Sequence, residues 1–99
     1  MIVVNAIIES TEESISALKS VLADMEQASR AESGCVDYTF SVELNNTCML
    51  RITERWESMD ALQTHFKAPH MAQFQEAIGA HPPKSSDVKI YEATEVQLG

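Results

Sequence analysis

The sequence predicts an α+β domain in which four strands and two helical regions follow one another in the order β-α-β-β-α-β. Three observations predict this fold class: a β-branched apolar run at the start of the chain, an apolar stripe at helical spacing directly after it, and an alternating strand followed by a hairpin signal. The order matches the split βαβ, ferredoxin-like pattern, a four-stranded antiparallel sheet with both helices on one face. A length of 99 residues fits one domain, which we place over residues 1–99.

The first strand is predicted over residues 2–8 (IVVNAII), where β-branched and apolar residues are interrupted only by Asn5. Ser10, three residues before Glu13, forms a capping box that opens a helix. The helix is expected to stop at Gly34, because glycine tolerates a left-handed backbone. Spacings of 3, 4 and 3 predict that one apolar stripe faces the core: Ile15, Leu18, Leu22 and Met25.

Residues 35–44 alternate between apolar and polar side chains, which predicts a strand with one buried face. The apolar members are Val36, Tyr38, Phe40, Val42 and Leu44. Asn45-Asn46 can take positive φ and would close a tight hairpin. Residues 48–56 then form the next strand, with one face made of Leu50, Ile52, Glu54 and Trp56.

Ser58 is predicted to cap a second helical region. Pro69 interrupts this region but can begin a new turn as its first residue. The apolar positions before and after the interruption are Leu62, Phe66, Met71, Phe74 and Ile78. Gly79 is expected to end the region, and residues 87–96 are predicted to form the last strand.

The composition excludes several classes of protein. With 7 Lys+Arg against 15 Asp+Glu and a net charge of −8, and with the cations scattered, the chain is not expected to bind nucleic acid. No apolar stretch approaches the roughly 18 residues that span a bilayer, and the N-terminus lacks the features of a signal peptide. Cys35 and Cys48 fit reduced thiols better than a disulfide framework. Together these features predict a cytoplasmic protein.

Four residues have chemistry that could serve a ligand site. Asn5 is an amide inside an apolar strand and Tyr38 carries a hydroxyl on an apolar face, so each needs a hydrogen-bond partner. Trp56 ends a strand and could stack on a flat substrate. His65 is expected on the inward face of its helix, and its imidazole accepts a proton near neutral pH. Each also has an ordinary explanation as a packed core residue; together they predict an apolar pocket with a few polar groups.

The sequence contains no strong motif for a metal, a nucleotide or a covalent intermediate. Its three glycines are isolated, so no phosphate-cradling loop is expected. His65 and His70 are five residues apart with Pro69 between them, unlike the i, i+4 arrangement that places two ligands on one helical face. Pro69 is expected to direct His70 towards the surface. We therefore predict neither a metal site nor a bound cofactor.

Two segments resemble the antibiotic biosynthesis monooxygenase (ABM) family. Residues 28–35 (ASRAESGC), with Tyr38 three positions further on, resemble the helix-to-strand junction of that domain. The second segment begins at residues 54–58 (ERWES) and continues through Ala61-Leu62, His65, Pro69-His70 and Phe74. The resemblance extends over essentially the whole chain.

The resemblance implies a homodimer in which two sheets face each other as a dimeric α+β barrel, with a pocket between the sheet and the helices of each subunit. It implies a cofactor-independent monooxygenase that oxidises a small aromatic, phenolic or quinol substrate with O₂. In this interpretation His65 is the base and Trp56 stacks on the substrate ring. Asn5 and Tyr38 hydrogen-bond the developing oxyanion or hydroperoxide. The other expected substrate-binding residues are Phe66, Phe74 and His70.

Other activities are known for proteins that share this superfamily. Haem-degrading relatives have a histidine at the position that aligns with Gln75, which makes haem ligation by this chain less favoured. A small-ligand isomerase and a non-catalytic dimeric ligand-binding module of the same fold are the alternatives, because a fold alone does not choose a substrate.

Overall fold

The computed structural model describes residues 1–99 and confirms the predicted fold class. The elements in chain order are β1 (Ile2–Glu9), α1 (Glu12–Arg30), β2 (Cys35–Glu43), β3 (Asn46–Trp56), α2 (Met59–Phe66), α3 (Pro69–Ala80) and β4 (Ser85–Glu92). The strands form one antiparallel sheet in the order β2-β3-β1-β4, and the helices lie on one of its faces. The second helical region consists of two helices, because Pro69 begins α3 at its first turn.

Helix α1 packs its apolar stripe on the sheet but begins and ends at other residues than predicted. Its N-cap is Thr11, whose side chain accepts a backbone N–H of the first turn at 3.1 Å. Ser10 was predicted to cap, but its own N–H still belongs to the sheet and donates to the carbonyl of Cys48 at 2.8 Å. The helix ends at Arg30, well before Gly34. The stripe residues that become fully buried are Leu18, Leu22 and Met25.

Gly34 adopts a positive φ of 84°, but in the turn between α1 and β2 rather than at the helix end. A Cβ atom at this position would lie 2.7 Å from the Cβ of Ala61 in α2. The Gly34 carbonyl also accepts the backbone N–H of Glu57 at 2.8 Å. This turn is therefore held closely against the start of α2.

Strand β2 departs from the predicted alternation because a bulge lies between Cys35 and Asp37. The bulge pairs Cys35, rather than Val36, with Trp56 and leaves Tyr38 buried opposite Glu54. β2 is also an edge strand, so its outer apolar side chains lack a cover. The predicted face members that are in fact exposed are Val36, Val42 and Leu44.

The hairpin between β2 and β3 turns one residue earlier than predicted. Asn46 already pairs with Glu43, so the two turn residues are Leu44 and Asn45. No residue other than glycine has a positive φ, which makes the predicted left-handed asparagine pair wrong. The predicted face of β3 is confirmed, because all four of its members are buried: Leu50, Ile52, Glu54 and Trp56.

Strand β4 ends at Glu92, earlier than the predicted 87–96, and all of its residues are exposed. Val88 and Ile90 face the same side as the helices, because they pair with the buried Ala6 and Val4 of β1. They nevertheless stay exposed, since the helices contact the sheet mainly at β2 and β3. None of the helices is long and apolar enough to cross a membrane.

Candidate functional site

Three of the residues singled out from the sequence meet in the core between the sheet and α2. His65 lies in the last turn of α2 and is fully buried. Its ring centroid is 4.7 Å from that of Trp56 at the end of β3 and 5.4 Å from that of Tyr38 in β2. Trp56 and Tyr38 are also buried, so the imidazole is enclosed by aromatic rings rather than by solvent.

Glu32, in the turn after α1, binds this imidazole and was not assigned a role by the sequence. Its Oε2 lies 2.5 Å from Nδ1 of His65 and 2.8 Å from Nε2 of His70. We call these three residues the histidine–carboxylate cluster. The signal that could have revealed Glu32 is its place beside Gly34, whose positive φ shapes the turn that brings the carboxylate to α2.

The prediction that Pro69 directs His70 to the surface is wrong. The His70 side chain is about four-fifths buried and turns inward to Glu32. The helix break explains this: α2 ends at Phe66 and α3 begins at Pro69, so the chain changes direction between the two histidines. On one continuous helix, two side chains five residues apart would point in different directions. Here the break between α2 and α3 brings His65 and His70 to the same carboxylate.

The surroundings of His65 favour a neutral imidazole with one defined tautomer. Burial lowers the pKa of His65, and the hydrogen bond and charge of Glu32 only partly oppose this. Because Nδ1 faces a carboxylate oxygen, it carries the ring proton and donates it. Nε2 then holds the lone pair, and it is buried without any hydrogen-bond partner. The result is an oriented, neutral base with an unused acceptor.

Glu54 is a buried carboxyl group on the same side of the sheet. Trp56 Nε1 donates to Glu54 Oε1 at 2.9 Å, the one hydrogen bond recorded for that carboxyl group. Burial raises the pKa of Glu54 to about 7, although the tryptophan bond lowers it. Burial and the Glu54 charge likewise raise the pKa of Tyr38, so its hydroxyl stays protonated. Both groups can therefore donate hydrogen bonds inside the core near neutral pH.

Asn5 and Phe66 do not join this cluster. Asn5 was expected to be buried, but it is exposed on the opposite face of the sheet, where it pairs with Thr53 and Lys89. The alternation of β1 is the reason, because Val4 and Ala6 point to the helices and Asn5 points away. Phe66 is 50% exposed, and its ring centroid lies 6.0 Å from that of His65.

Tyr38 and Phe40 connect the cluster to the groove of largest volume through neighbouring rings, and Phe74 packs against Phe40. The ring centroid of Phe74 is 5.7 Å from that of Phe40, which in turn is 5.5 Å from that of Tyr38. Phe40 also lines a groove of about 540 Å³ between α1 and the β2–β3 hairpin. The apolar part of that groove is made by Ile15, Leu22, Ala23, Phe40, Val42 and Leu50.

Comparisons with known proteins agree with the fold. The family model described as "Antibiotic biosynthesis monooxygenase" (ABM) matches residues 1–77, from β1 into α3. An uncharacterised protein of Synechocystis is 31% identical over 71 residues, which cover 72% of this chain and 48% of that protein. The chain thus spans about half the length of this curated relative.

Solved structures are similar over nearly the whole chain. A candidate antibiotic biosynthesis monooxygenase from Deinococcus radiodurans has a TM-score of 0.90 and 28% identity, with 99% of this chain and 97% of that chain covered. Rv0793 from Mycobacterium tuberculosis has a TM-score of 0.85 and 25% identity, with 96% of each chain covered. These structures extend the likeness through β4, beyond the residues that the family model matches.

Proposed function

The chain belongs to the antibiotic biosynthesis monooxygenase family, and from this premise we propose a cofactor-independent monooxygenase that oxidises a small aromatic, phenolic or quinol substrate with O₂. The observation that carries the proposal is the buried His65, bound to Glu32 through Nδ1 and unpartnered at Nε2. A carboxylate that fixes the tautomer of a neutral imidazole leaves the other nitrogen free to take a proton.

The proposed reaction needs no external reductant, because the substrate supplies all of the electrons. His65 Nε2 takes the phenolic proton, and the phenolate passes one electron to O₂. The phenoxyl radical and superoxide then form a C–O bond, and protonation gives a hydroperoxide. Loss of water from the hydroperoxide yields the quinone. One oxygen atom enters the product and the other leaves as water, while the substrate loses two hydrogen atoms.

Each group near His65 has a distinct task in this proposal. Glu32 keeps the ring proton on Nδ1 and stabilises the imidazolium that forms after proton transfer. Trp56 and Tyr38 keep water away from the imidazole and form the apolar wall beside it. Tyr38 and the protonated Glu54 are the donors available for the developing negative charge on oxygen.

The groove beside Phe40 is the proposed route for the substrate. His65 is fully buried, so a substrate reaches Nε2 only if side chains move. Phe40 lines the groove and contacts Tyr38, and an aromatic substrate could take over its packing. The groove has a volume of about 540 Å³, which lies within the roughly 300–1,000 Å³ range of small-molecule sites.

The active form is proposed to be a homodimer. The open face of the sheet carries Val3, Ile7 and Tyr91 beside polar side chains, and Val88 and Ile90 are uncovered at the β4 edge. A second copy would bury these apolar groups. Light scattering should give twice the 11.0 kDa chain mass at micromolar concentration, whereas a mass of one chain would contradict the dimer.

Oxygen consumption tests the proposed activity. The protein is freed of metal and flavin, then assayed with a panel of hydroquinones and naphthols, with His65→Ala as the matched control. Substrate-dependent O₂ uptake that the variant loses would support the proposal. Thermal stabilisation of the wild-type protein by a ligand, without O₂ uptake, would instead assign a non-catalytic binding module.

A further inference from the structure

The histidine–carboxylate cluster offers two nitrogens and one oxygen to a shared point. The candidate ligand atoms of Glu32, His65 and His70 all lie within 4.8 Å of one another. Divalent transition ions such as Zn²⁺ commonly bind two imidazoles and one carboxylate in proteins. We propose that this cluster binds one divalent transition ion per chain, with Co²⁺ and Zn²⁺ as the probes that detect it.

The distances need little adjustment to admit an ion. The Glu32 oxygen lies 2.5 and 2.8 Å from the two ring nitrogens, which is hydrogen-bond spacing. Metal bonds of about 2.0–2.2 Å require neighbouring ligand atoms to lie roughly 3.0–3.4 Å apart. Each N–O distance must therefore open by less than about 1 Å, and the two ring nitrogens, which lie within 4.8 Å of each other, must come to the same spacing. Glu32 sits in a turn and His70 in the first turn of α3, and both side chains are partly exposed. These two residues can therefore move while His65 stays in place.

An acidic depression lies beside the cluster and shares Glu32 with it. It has a volume of about 360 Å³ and is lined by the carboxylates of Glu32, Glu57 and Asp60. Together with the net charge of −8, these groups favour the approach of a cation over that of an anion.

Binding of the ion has a defined consequence for His65. A metal at Nδ1 displaces the ring proton from that nitrogen, and the neutral imidazole then carries its proton on Nε2. The lone pair that serves as the proposed base is lost. Ion binding and proton abstraction at His65 therefore exclude each other, and Zn²⁺ should inhibit any O₂ uptake. The site itself does not depend on the proposed function, because its ligands are present whatever reaction the chain performs.

Direct binding measurements test the site without an activity assay. Protein treated with EDTA is titrated with Co²⁺, and the visible absorption of the bound ion and the heat of binding are recorded, with Zn²⁺ as a competitor. One Co²⁺ per chain should bind and Zn²⁺ should displace it. Mg²⁺ should not compete, because it prefers oxygen ligands.

Three variants locate the ion. His70→Ala is the main variant, since the His70 side chain is less buried than that of His65, and Glu32→Gln is the second. Each should weaken Co²⁺ binding by more than about tenfold. His81→Ala removes a histidine at the end of α3 that lies outside the cluster, and it should bind Co²⁺ like the wild-type chain. Far-UV circular dichroism checks that each variant is folded.

Two results would overturn the site. One is the absence of stoichiometric Co²⁺ binding by the wild-type chain, and the other is equal affinity in folded His70→Ala and wild-type protein. Either result would leave the proposed oxygenase standing, because its assay runs in metal-free buffer. Conversely, a chain that binds Co²⁺ but consumes no O₂ with any substrate would keep the site and refute the oxygenase.

Discussion

The two faces of the sheet hold polar side chains in opposite surroundings, although the same strands supply both. On the helix side, Glu54 is buried and hydrogen-bonded to Trp56. On the open side, the neighbouring Thr53 pairs with Asn5, and both are exposed. One residue along a strand is enough to change the surroundings, because successive side chains point to opposite faces. In the proposed function, the helix side carries the acid–base chemistry and the open side serves for assembly.

Parallel replacement of His65, on the helix side, and Asn5, on the open side, should give the largest difference in activity between the two faces of the sheet. With a substrate that is turned over, His65→Ala should lower kcat by about 10²–10⁴-fold, the usual contribution of a general base. Asn5→Ala should change kcat by less than about twofold, because its side chain points away from the cluster. Steady-state O₂ uptake by folded variants measures both effects. The reverse order of the two effects would move the chemistry to the open face.

Stability should show the same asymmetry. Trp56 is fully buried, so Trp56→Ala should lower the free energy of unfolding by about 3–5 kcal/mol. Tyr91 is 47% exposed in one chain and is covered only in the proposed dimer, so Tyr91→Ala should cost less than Trp56→Ala. Urea unfolding at one fixed protein concentration compares them. A loss at Tyr91 as large as that at Trp56 would mean that the open face contributes equally to the stability of the fold.

The pH dependence of stability should report on Glu54. Its pKa rises from 4.5 to about 7 on folding, so the folded chain holds this proton more tightly than the unfolded chain. The stability linked to the protonated form is fully present below pH 4.5 and is lost as the pH rises through about 7. Glu54→Gln removes this loss.

Urea unfolding between pH 5 and pH 8 measures that effect. The free energy of unfolding of Glu54→Gln should rise relative to wild type by about 2 kcal/mol over this range. Glu92→Gln, at an exposed position in β4, controls for the removal of one negative charge. The lowered pKa of His65 acts in the opposite direction, because it makes the folded state less stable as the pH falls. This contribution is present in both variants and cancels when their free energies of unfolding are subtracted. A difference that does not change with pH would show that Glu54 is not held protonated.

Gly34, in the turn after α1, and Gly79, within α3, should respond oppositely to replacement by alanine. Gly34→Ala forces a φ of 84° on a residue with a Cβ atom and brings that atom against Ala61. It should cost about 1–2 kcal/mol. Gly79 lies within α3, with nothing near the added Cβ, so Gly79→Ala should stabilise by up to about 1 kcal/mol. Equal effects in thermal unfolding would contradict the tight packing of the turn that holds Glu32.

Periodicity alone was enough to predict the order of elements, the buried face of β3 and the stripe of α1. These patterns reflect the packing of each element on one core, which a sequence records directly. Asn5 was misplaced for the opposite reason. A polar residue within an apolar run was taken as buried, whereas the alternation of β1 places it in solvent.

The histidine–carboxylate cluster could not be assembled from spacing. His65 and His70 meet because a helix break redirects the chain, and Glu32 reaches them because a glycine turn folds back on α2. Both causes depend on tertiary structure. The sequence contained Glu32, Gly34 and Pro69, but not the distances that join them. The bulge in β2 escaped prediction in the same way, since it depends on pairing with β3.

The tautomer of His65 tests the central claim most directly, because that claim is a neutral imidazole with its proton on Nδ1 and a free Nε2. Long-range ¹H–¹⁵N correlation spectra of ¹⁵N-labelled, EDTA-treated protein at neutral pH report the protonation of each ring nitrogen. We expect a protonated Nδ1 and a bare Nε2 for His65, because Nδ1 faces Glu32 and Nε2 has no hydrogen-bond partner. A protonated Nε2 on His65, in a neutral or charged ring, would contradict the account.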